Sequence, residues 1–261
     1  MSEDIIMFDA ESLREMDIKR LADFMGNPDL SAYKNKAEDH DYSTFFFHPL
    51  TVKSVLDATA SPTTPIKILE LGSGNGANGR TLCRLIDPNG DRPLHLVHLD
   101  FFDQNLLEAS KRDKEFSEIR RNFSFQCIQA DVKSPNTREK LISFMKETID
   151  VAFSIKFFHN TPVKITREMA RFLSSIMTIG GIFILQCYGS QRWMDEVING
   201  LNRVRRHGYS NSVSVDRILA RWFLKNAGFR LIYKTTNKAI DSGAFNHFQH
   251  ARYDYYFEKK K

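Results

Sequence analysis

Apolar and polar positions follow two different rhythms along this chain, and the change comes at Ser61-Pro62-Thr63-Thr64-Pro65. Upstream, Leu13, Ile18, Leu21 and Phe24 recur at helical spacing and fit one apolar face. An aromatic stretch follows, Tyr42-Ser43-Thr44-Phe45-Phe46-Phe47-His48-Pro49, and then a short helix over residues 50–58. The proline-punctuated segment cannot continue a helix. Beyond it, short apolar runs alternate with amphipathic ones. Strands are predicted over 66–71, 94–99, 123–130, 149–155, 182–188, 229–234 and 253–257. Helices are predicted after the glycines that follow Leu71, and over 104–116, 137–147, 164–177 and 213–226. Gly180-Gly181 punctuates the entry to the fifth strand, and Gly228 stops the last helix.

Strands that alternate with helices make βαβ units, which assemble into an α/β fold with a parallel sheet and helices on both faces. Ligands bind such open sheets at the carboxyl ends of strands near the point where strand order reverses. That rule singles out the residues just after Leu71, Leu99, Ala130 and Ile155.

Composition changes this picture little. A chain of 261 residues, 42% hydrophobic and 26% charged, buries a core without metal or disulfide staples. Its 21 Phe are expected inside or lining an apolar pocket. Cys83, Cys127 and Cys187 are an odd number, far apart, with no C-x-x-C pair and no zinc spacing, so buried free thiols and no metal are expected. The acidic start Met1-Ser2-Glu3-Asp4 lacks the features of a secretory signal, and no apolar run approaches a membrane span. A cytoplasmic protein without a membrane partner is the expectation. The net charge of +5 mostly disappears if Lys259-Lys260-Lys261 is discounted, so charge selects no partner.

The chemistry concentrates in Ile68-Leu69-Glu70-Leu71-Gly72-Ser73-Gly74-Asn75-Gly76. Glycines at alternate positions let the backbone turn sharply and approach a ligand where a Cβ would clash. They also lead into a helix, whose N-terminus carries unpaired N–H groups. Gly-x-Gly-x-Gly is not the Gly-x-Gly-x-x-Gly of dinucleotide enzymes. Glu70, two positions before the first glycine, would repel a pyrophosphate but not the ammonium and sulfonium of S-adenosylmethionine.

With these residues the chain resembles the class I (Rossmann-like) S-adenosylmethionine-dependent methyltransferases, and residues 66–258 follow that family's strand and helix order. The resemblance implies a doubly wound, mostly parallel seven-stranded sheet with an antiparallel last strand. Residues 61–261 would form the Rossmann-like domain and residues 1–60 an N-terminal helical lid or substrate cap. It implies S-adenosylmethionine as cofactor, S-adenosylhomocysteine as product, and Glu70, Gly72, Ser73, Gly74, Asn75 and Gly76 as its loop. Asp100 would clamp the ribose hydroxyls, since a carboxylate accepts two hydrogen bonds at once. Phe101, with Phe102 in reserve, would pack on the adenine, and Asp131 with Val132 would lie near its amino group. Asp131 reads alternatively as a cap for the next helix. The fourth strand resembles motif IV, with Ser154, Ile155 and Lys156 at the ligand end.

The substrate is less closely defined. His159, in Phe157-Phe158-His159-Asn160-Thr161-Pro162, stands where many small-molecule members place a histidine facing the acceptor; it reads alternatively as a helix cap or as packing on Phe158. Ser154-Ile155-Lys156-Phe157 replaces the Asn/Asp-Pro-Pro-Tyr/Phe motif of amino-methyltransferases, which argues against DNA bases. Tyr42, Phe46 and His48 would close an aromatic lid suited to a planar or apolar acceptor, or would simply pack it onto the sheet. Trp193 lies in a second variable region with the basic cluster Arg203, Arg205, Arg206 and His207. A small aromatic or amine acceptor is the first expectation. An RNA or protein substrate docked on that cluster and the lysine tail is the second, and a non-catalytic regulatory role the third.

Overall fold

A computed structural model describes residues 5–8, 55–57, 64–155, 157–158, 163–190, 201–202, 204–206, 213–237 and 250–260. Strands β1 to β8 span Ile5–Met7, Ile66–Leu71, Leu94–Asp100, Phe123–Gln129, Ile149–Ile155, Met177–Ser190, Phe229–Asn237 and His250–Lys259. Helices α1 to α5 span Ala77–Ile86, Asp103–Ile119, Pro135–Met145, Val163–Ile176 and Val213–Asn226.

The runs Ile66–Leu71, Leu94–Asp100 and Ile149–Ile155 are nearly continuous in apolar residues because each is covered on both faces. Alternate residues point to opposite sides. On one side Ile68, Leu96, Phe153 and Ile184 pack with Leu82, Cys83 and Ile86 of α1 and Phe116 of α2. On the other, Leu69, Leu99, Ala152 and Phe183 pack with Leu141 of α3, Phe172 and Leu173 of α4, and Phe223 and Leu224 of α5. Many phenylalanines, among them Phe153, Phe172, Phe183 and Phe257, are buried as expected, and the three cysteines are buried and form no disulfide.

The sheet order is β1-β4-β3-β2-β5-β6-β8-β7. Parallel pairing runs from β1 through β6, and β8 lies antiparallel between β6 and β7. The doubly wound arrangement and the antiparallel last strand match expectation, but the sheet has eight strands, not seven. The extra one, Ile5–Met7, pairs with Cys127 to Gln129 at the edge of β4, and Phe8 N–H continues the ladder to the Gln129 carbonyl at 2.9 Å. Three residues after an acidic terminus are too short a run to show a period of their own. The predicted helix over 50–58 is helical at residues 55–57, where Val55 enters the core; the Leu13 to Phe24 stripe lies outside the described residues.

Gly180-Gly181 does not open the fifth parallel strand. It lies inside β6 as an irregularity, where the register against β5 shifts between Ile149 and Val151. Gly180 takes φ 83, and a Cβ on Gly181 would stand 2.8 Å from the Thr178 carbonyl oxygen. The lysine tail is also not a free charge cluster. Lys259 is buried at the end of β8 and donates to the Met177 carbonyl at 2.6 Å, while Lys260 pairs with Glu258. No helix among the described residues is long and apolar enough to cross a membrane.

Candidate functional site

Strand order reverses between β2 and β5, where Leu71 lies in register with Ser154. The chain leaves β2 at that reversal and bends at once over the end of β3. Gly72 and Ser73 N–H groups donate to the Leu99 carbonyl at 2.8 and 3.2 Å, and Gly76 N–H closes a turn on the Ser73 carbonyl at 3.0 Å. Gly72, Gly74 and Gly76 take φ values of 68, 54 and 74, the left-handed region that glycine alone enters without strain. Gly76 is also the N-cap of α1, so the loop delivers the helix's positive end to the carboxyl edge of the sheet.

The three glycines answer to different neighbours. A Cβ on Gly72 would meet the Phe157 ring at 2.9 Å, and one on Gly76 the His98 ring at 2.7 Å. One on Gly74 would meet no atom of the described residues within 4 Å. Gly72 and Gly76 are therefore demanded by the protein itself, whereas none of the described residues crowds Gly74.

Asp100 ends β3 beside Gly74. Its Oδ2 accepts the Gly74 N–H at 2.8 Å and its Oδ1 the Phe102 N–H at 2.9 Å, with Asn105 Nδ2 at 3.5 Å. Burial pushes its carboxyl above the ordinary range, and the two backbone donors oppose that shift. The two backbone donors take one site on each oxygen and Asn105 approaches a third at the limit of hydrogen-bond reach, so capacity remains for a ligand hydroxyl. Phe101 and Phe102 follow, half-buried, with rings edge to face at 5.3 Å.

At the end of β4, Asp131 Oδ1 accepts the Lys133 N–H at 3.0 Å, a local turn. Ser134, not Asp131, caps α3, through the Thr137 N–H at 3.3 Å. Val132 is buried, and its carbonyl accepts from Arg138 at 2.8 Å. Ser154, fully buried on β5, has no hydrogen-bond partner for its Oγ among the described residues, and neither has Ser73. The fold thus brings Glu70, the loop, Asp100, Phe101, Phe102, Asp131, Val132 and Ser154 to one edge of the sheet. His159, Lys156, Tyr42, Phe46, His48 and Trp193 lie outside the described residues, as do Arg203 and His207; Arg205 and Arg206 are exposed.

Other residues here escape sequence reading. Lys133, beside Asp131, is lowered to about 8 by burial, against the pull of Asp131. Glu70 Oε2 is 3.0 Å from His98 Nδ1, and His98 Nε2 is 2.7 Å from Asp113 Oδ2. Arg80 completes the cluster, bonding Asp113 Oδ1 at 2.9 Å and the Asn75 carbonyl at 2.9 Å. The available signal was His98 itself, a polar residue inside the buried run of β3. Asp113 is hidden within the charged stretch Lys111-Arg112-Asp113-Lys114-Glu115, which reads as a solvated helix face.

No protein-family profile and no curated protein matches the chain. Solved structures do match. Geranyl diphosphate C-methyltransferase from Streptomyces coelicolor A3(2), crystallised with Mg2+, geranyl diphosphate and S-adenosyl-L-homocysteine, is 10% identical, with TM-score 0.53 over 90% of this chain and 88% of its own. A SAM-dependent methyltransferase from Methanosarcina mazei is 12% identical, with TM-score 0.53 over 75% of this chain and 93% of its own. Both share the sheet and helix plan described above. This is the class I S-adenosylmethionine-dependent methyltransferase fold. The cyclopropane synthase MmaA2 from Mycobacterium tuberculosis shares it too, 12% identical with TM-score 0.51 over 80% of this chain and 83% of its own. Within this methyltransferase fold the glycine loop and Asp100 occupy the carboxyl edge beside the reversal of strand order. Among the described residues no group of three or more His, Cys, Asp or Glu is placed to hold a metal ion.

Proposed function

We propose that the chain is an S-adenosylmethionine-dependent methyltransferase acting on a small-molecule acceptor, aromatic or amine in class. The observation that carries this reading is the Asp100 carboxylate at the end of β3, tied to the Gly74 N–H and keeping acceptor capacity beside a glycine whose Cβ position meets no atom of the described residues. An adenosyl ligand with an amino-acid tail fits that chemistry. Asp100 would hold the ribose hydroxyls, Phe101 or Phe102 an adenine face, and Asp131 with Val132 the adenine edge. The backbone of Gly72 to Gly76 would hold the amino-acid end, and Ser154, in register with Leu71 and without an Oγ partner among the described residues, would offer it a further polar group.

When bound, S-adenosylmethionine supplies a methyl group on a sulfonium, open to in-line displacement by a nucleophile. The protein's share is to align the acceptor and exclude water, and positioning of that kind supplies several kcal/mol. We assign His159 as the base for acceptors that must lose a proton, and, of residues 1–60, those between β1 and Val55 as the cap over the acceptor. The structural neighbours named for geranyl diphosphate and cyclopropane chemistry support a small acceptor. The burial of Lys259 and the pairing of Lys260 remove much of the lysine tail from the alternative, a nucleic-acid or protein substrate.

Transfer of labelled methyl from S-adenosylmethionine to a panel of small amines and phenols, beside total RNA and a protein mixture, tests the reading. Label in a small acceptor, lost in Asp100→Ala, is the expected result. Label in RNA or protein alone overturns the acceptor class, and no label anywhere despite cofactor binding favours the regulatory role.

A further inference from the structure

Beneath the glycine loop lies a run of four ionisable side chains, Glu70, His98, Asp113 and Arg80, none more than 5% exposed. Both ring nitrogens of His98 face carboxylate oxygens, at 3.0 Å and 2.7 Å. A neutral imidazole has one donor, so both contacts are hydrogen bonds to carboxylates only when both nitrogens carry protons. The cluster then holds two carboxylates and two cations and is neutral as a whole, the condition under which buried charges are tolerated.

The run does not end within the core. Arg80 uses Nη1 on Asp113 and extends Nη2 to the carbonyl of Asn75, inside the loop. The loop also rests directly on the cluster. A Cβ on Gly76 would stand 2.7 Å from His98 Cε1 and 3.0 Å from Arg80 Nη1, and one on Gly79 would stand 2.7 Å from Glu70 Oε2. Two glycines thus bring α1 and the loop down onto a charged platform, and one platform residue holds the loop backbone from below. The same arrangement occupies Glu70 Oε2, so the carboxylate before the glycines acts first on His98.

We propose that His98 and Arg80 are positioning residues of the cofactor site, with the Glu70–His98–Asp113–Arg80 cluster setting the glycine loop in its ligand-binding conformation. This rests on reading the loop as the S-adenosylmethionine site. The groups facing the ring are Glu70 from β2, Asp113 from α2 and Arg80 from α1. Cys83 of α1 also lies near the cluster, but burial drives its thiol far above the ordinary range and it stays neutral. Burial disfavours the charged ring, and Asp113 with Glu70 outweighs it, raising His98 to about 9 from an ordinary 6.5. A raised value means that the ring's contribution is complete below the ordinary value and is lost as pH rises through the folded one.

The test is calorimetric titration of the full chain with S-adenosylhomocysteine at about pH 7 and about pH 10, beside thermal melts. Arg80→Lys keeps a charge opposite Asp113 but loses the fork that also reaches Asn75. It is expected to bind about tenfold more weakly at the lower pH, as befits one charge-assisted hydrogen bond. His98→Gln is expected to lose a similar factor there, and the advantage of the wild type over it should shrink toward unity at the higher pH. The ligand's own amine titrates alike against both proteins, so the ratio isolates the ring. Variants that fold and bind like the wild type at both pH values overturn the proposal. If His98→Gln does not fold, Arg80→Lys alone decides, a tenfold loss supporting the proposal and wild-type affinity overturning it. A wild type that binds no S-adenosylhomocysteine overturns the cofactor reading itself, a different outcome.

Discussion

Asp100→Ala is expected to weaken S-adenosylhomocysteine binding by roughly a hundredfold or more, the equivalent of two charge-assisted hydrogen bonds. The carboxylate has two duties in the structure. It accepts the Gly74 and Phe102 N–H groups at 2.8 and 2.9 Å, which pins the loop to the end of β3, and it presents its remaining lone pairs to the ligand. Alanine removes both. The two orphaned N–H groups cost about 1–3 kcal/mol each where water cannot reach them, so the variant should melt earlier while keeping its fold. Asp100→Asn separates the duties, since the amide oxygen still serves one backbone donor while the charge is gone. It is expected to melt between the wild type and Asp100→Ala, because one backbone N–H loses its acceptor, and still to bind poorly. Calorimetry and thermal melts on the three proteins check this. Wild-type affinity in Asp100→Ala would remove the residue from the site.

Gly76→Val is expected to destabilise the protein by roughly 2–5 kcal/mol, as well as abolish binding. A left-handed φ of 74 is strained for a β-branched residue, and the added carbons enter the His98 ring, which two carboxylates hold in place. Gly74→Ala is the matched contrast. Its φ of 54 costs only about 1–2 kcal/mol, because the new methyl meets no atom of the described residues within 4 Å. Its main effect should fall on ligand affinity, where that methyl obstructs close approach to the loop. Denaturant unfolding separates the two, with Gly76→Val losing stability first and Gly74→Ala losing affinity first. Equal loss of stability in both would contradict the division of labour among the glycines.

The central strands were legible because each is an apolar run bounded by turn residues, and burial on both faces makes such runs nearly unbroken. Ile149–Ile155 was placed to the residue for that reason. β1 was not, since Ile5–Met7 takes its strand character from pairing with β4 and not from a pattern of its own. Gly180-Gly181 was misplaced because glycine marks both a strand entry and a bulge, and only the partner's register distinguishes them. In the site, Gly72 to Gly76 and Asp100 were legible because a tight turn and a strand-end carboxylate depend on local sequence. The His98 cluster was not, as Glu70, Arg80 and Asp113 come from three elements whose approach only the fold creates.

Calorimetric titration of the purified chain with S-adenosylmethionine and S-adenosylhomocysteine, with NAD as control, tests the cofactor assignment most directly. Micromolar binding of the first two, near −8 kcal/mol, with none of NAD, is the predicted result. Binding of NAD, or of none of the three, would mean that the glycine loop and Asp100 serve another ligand.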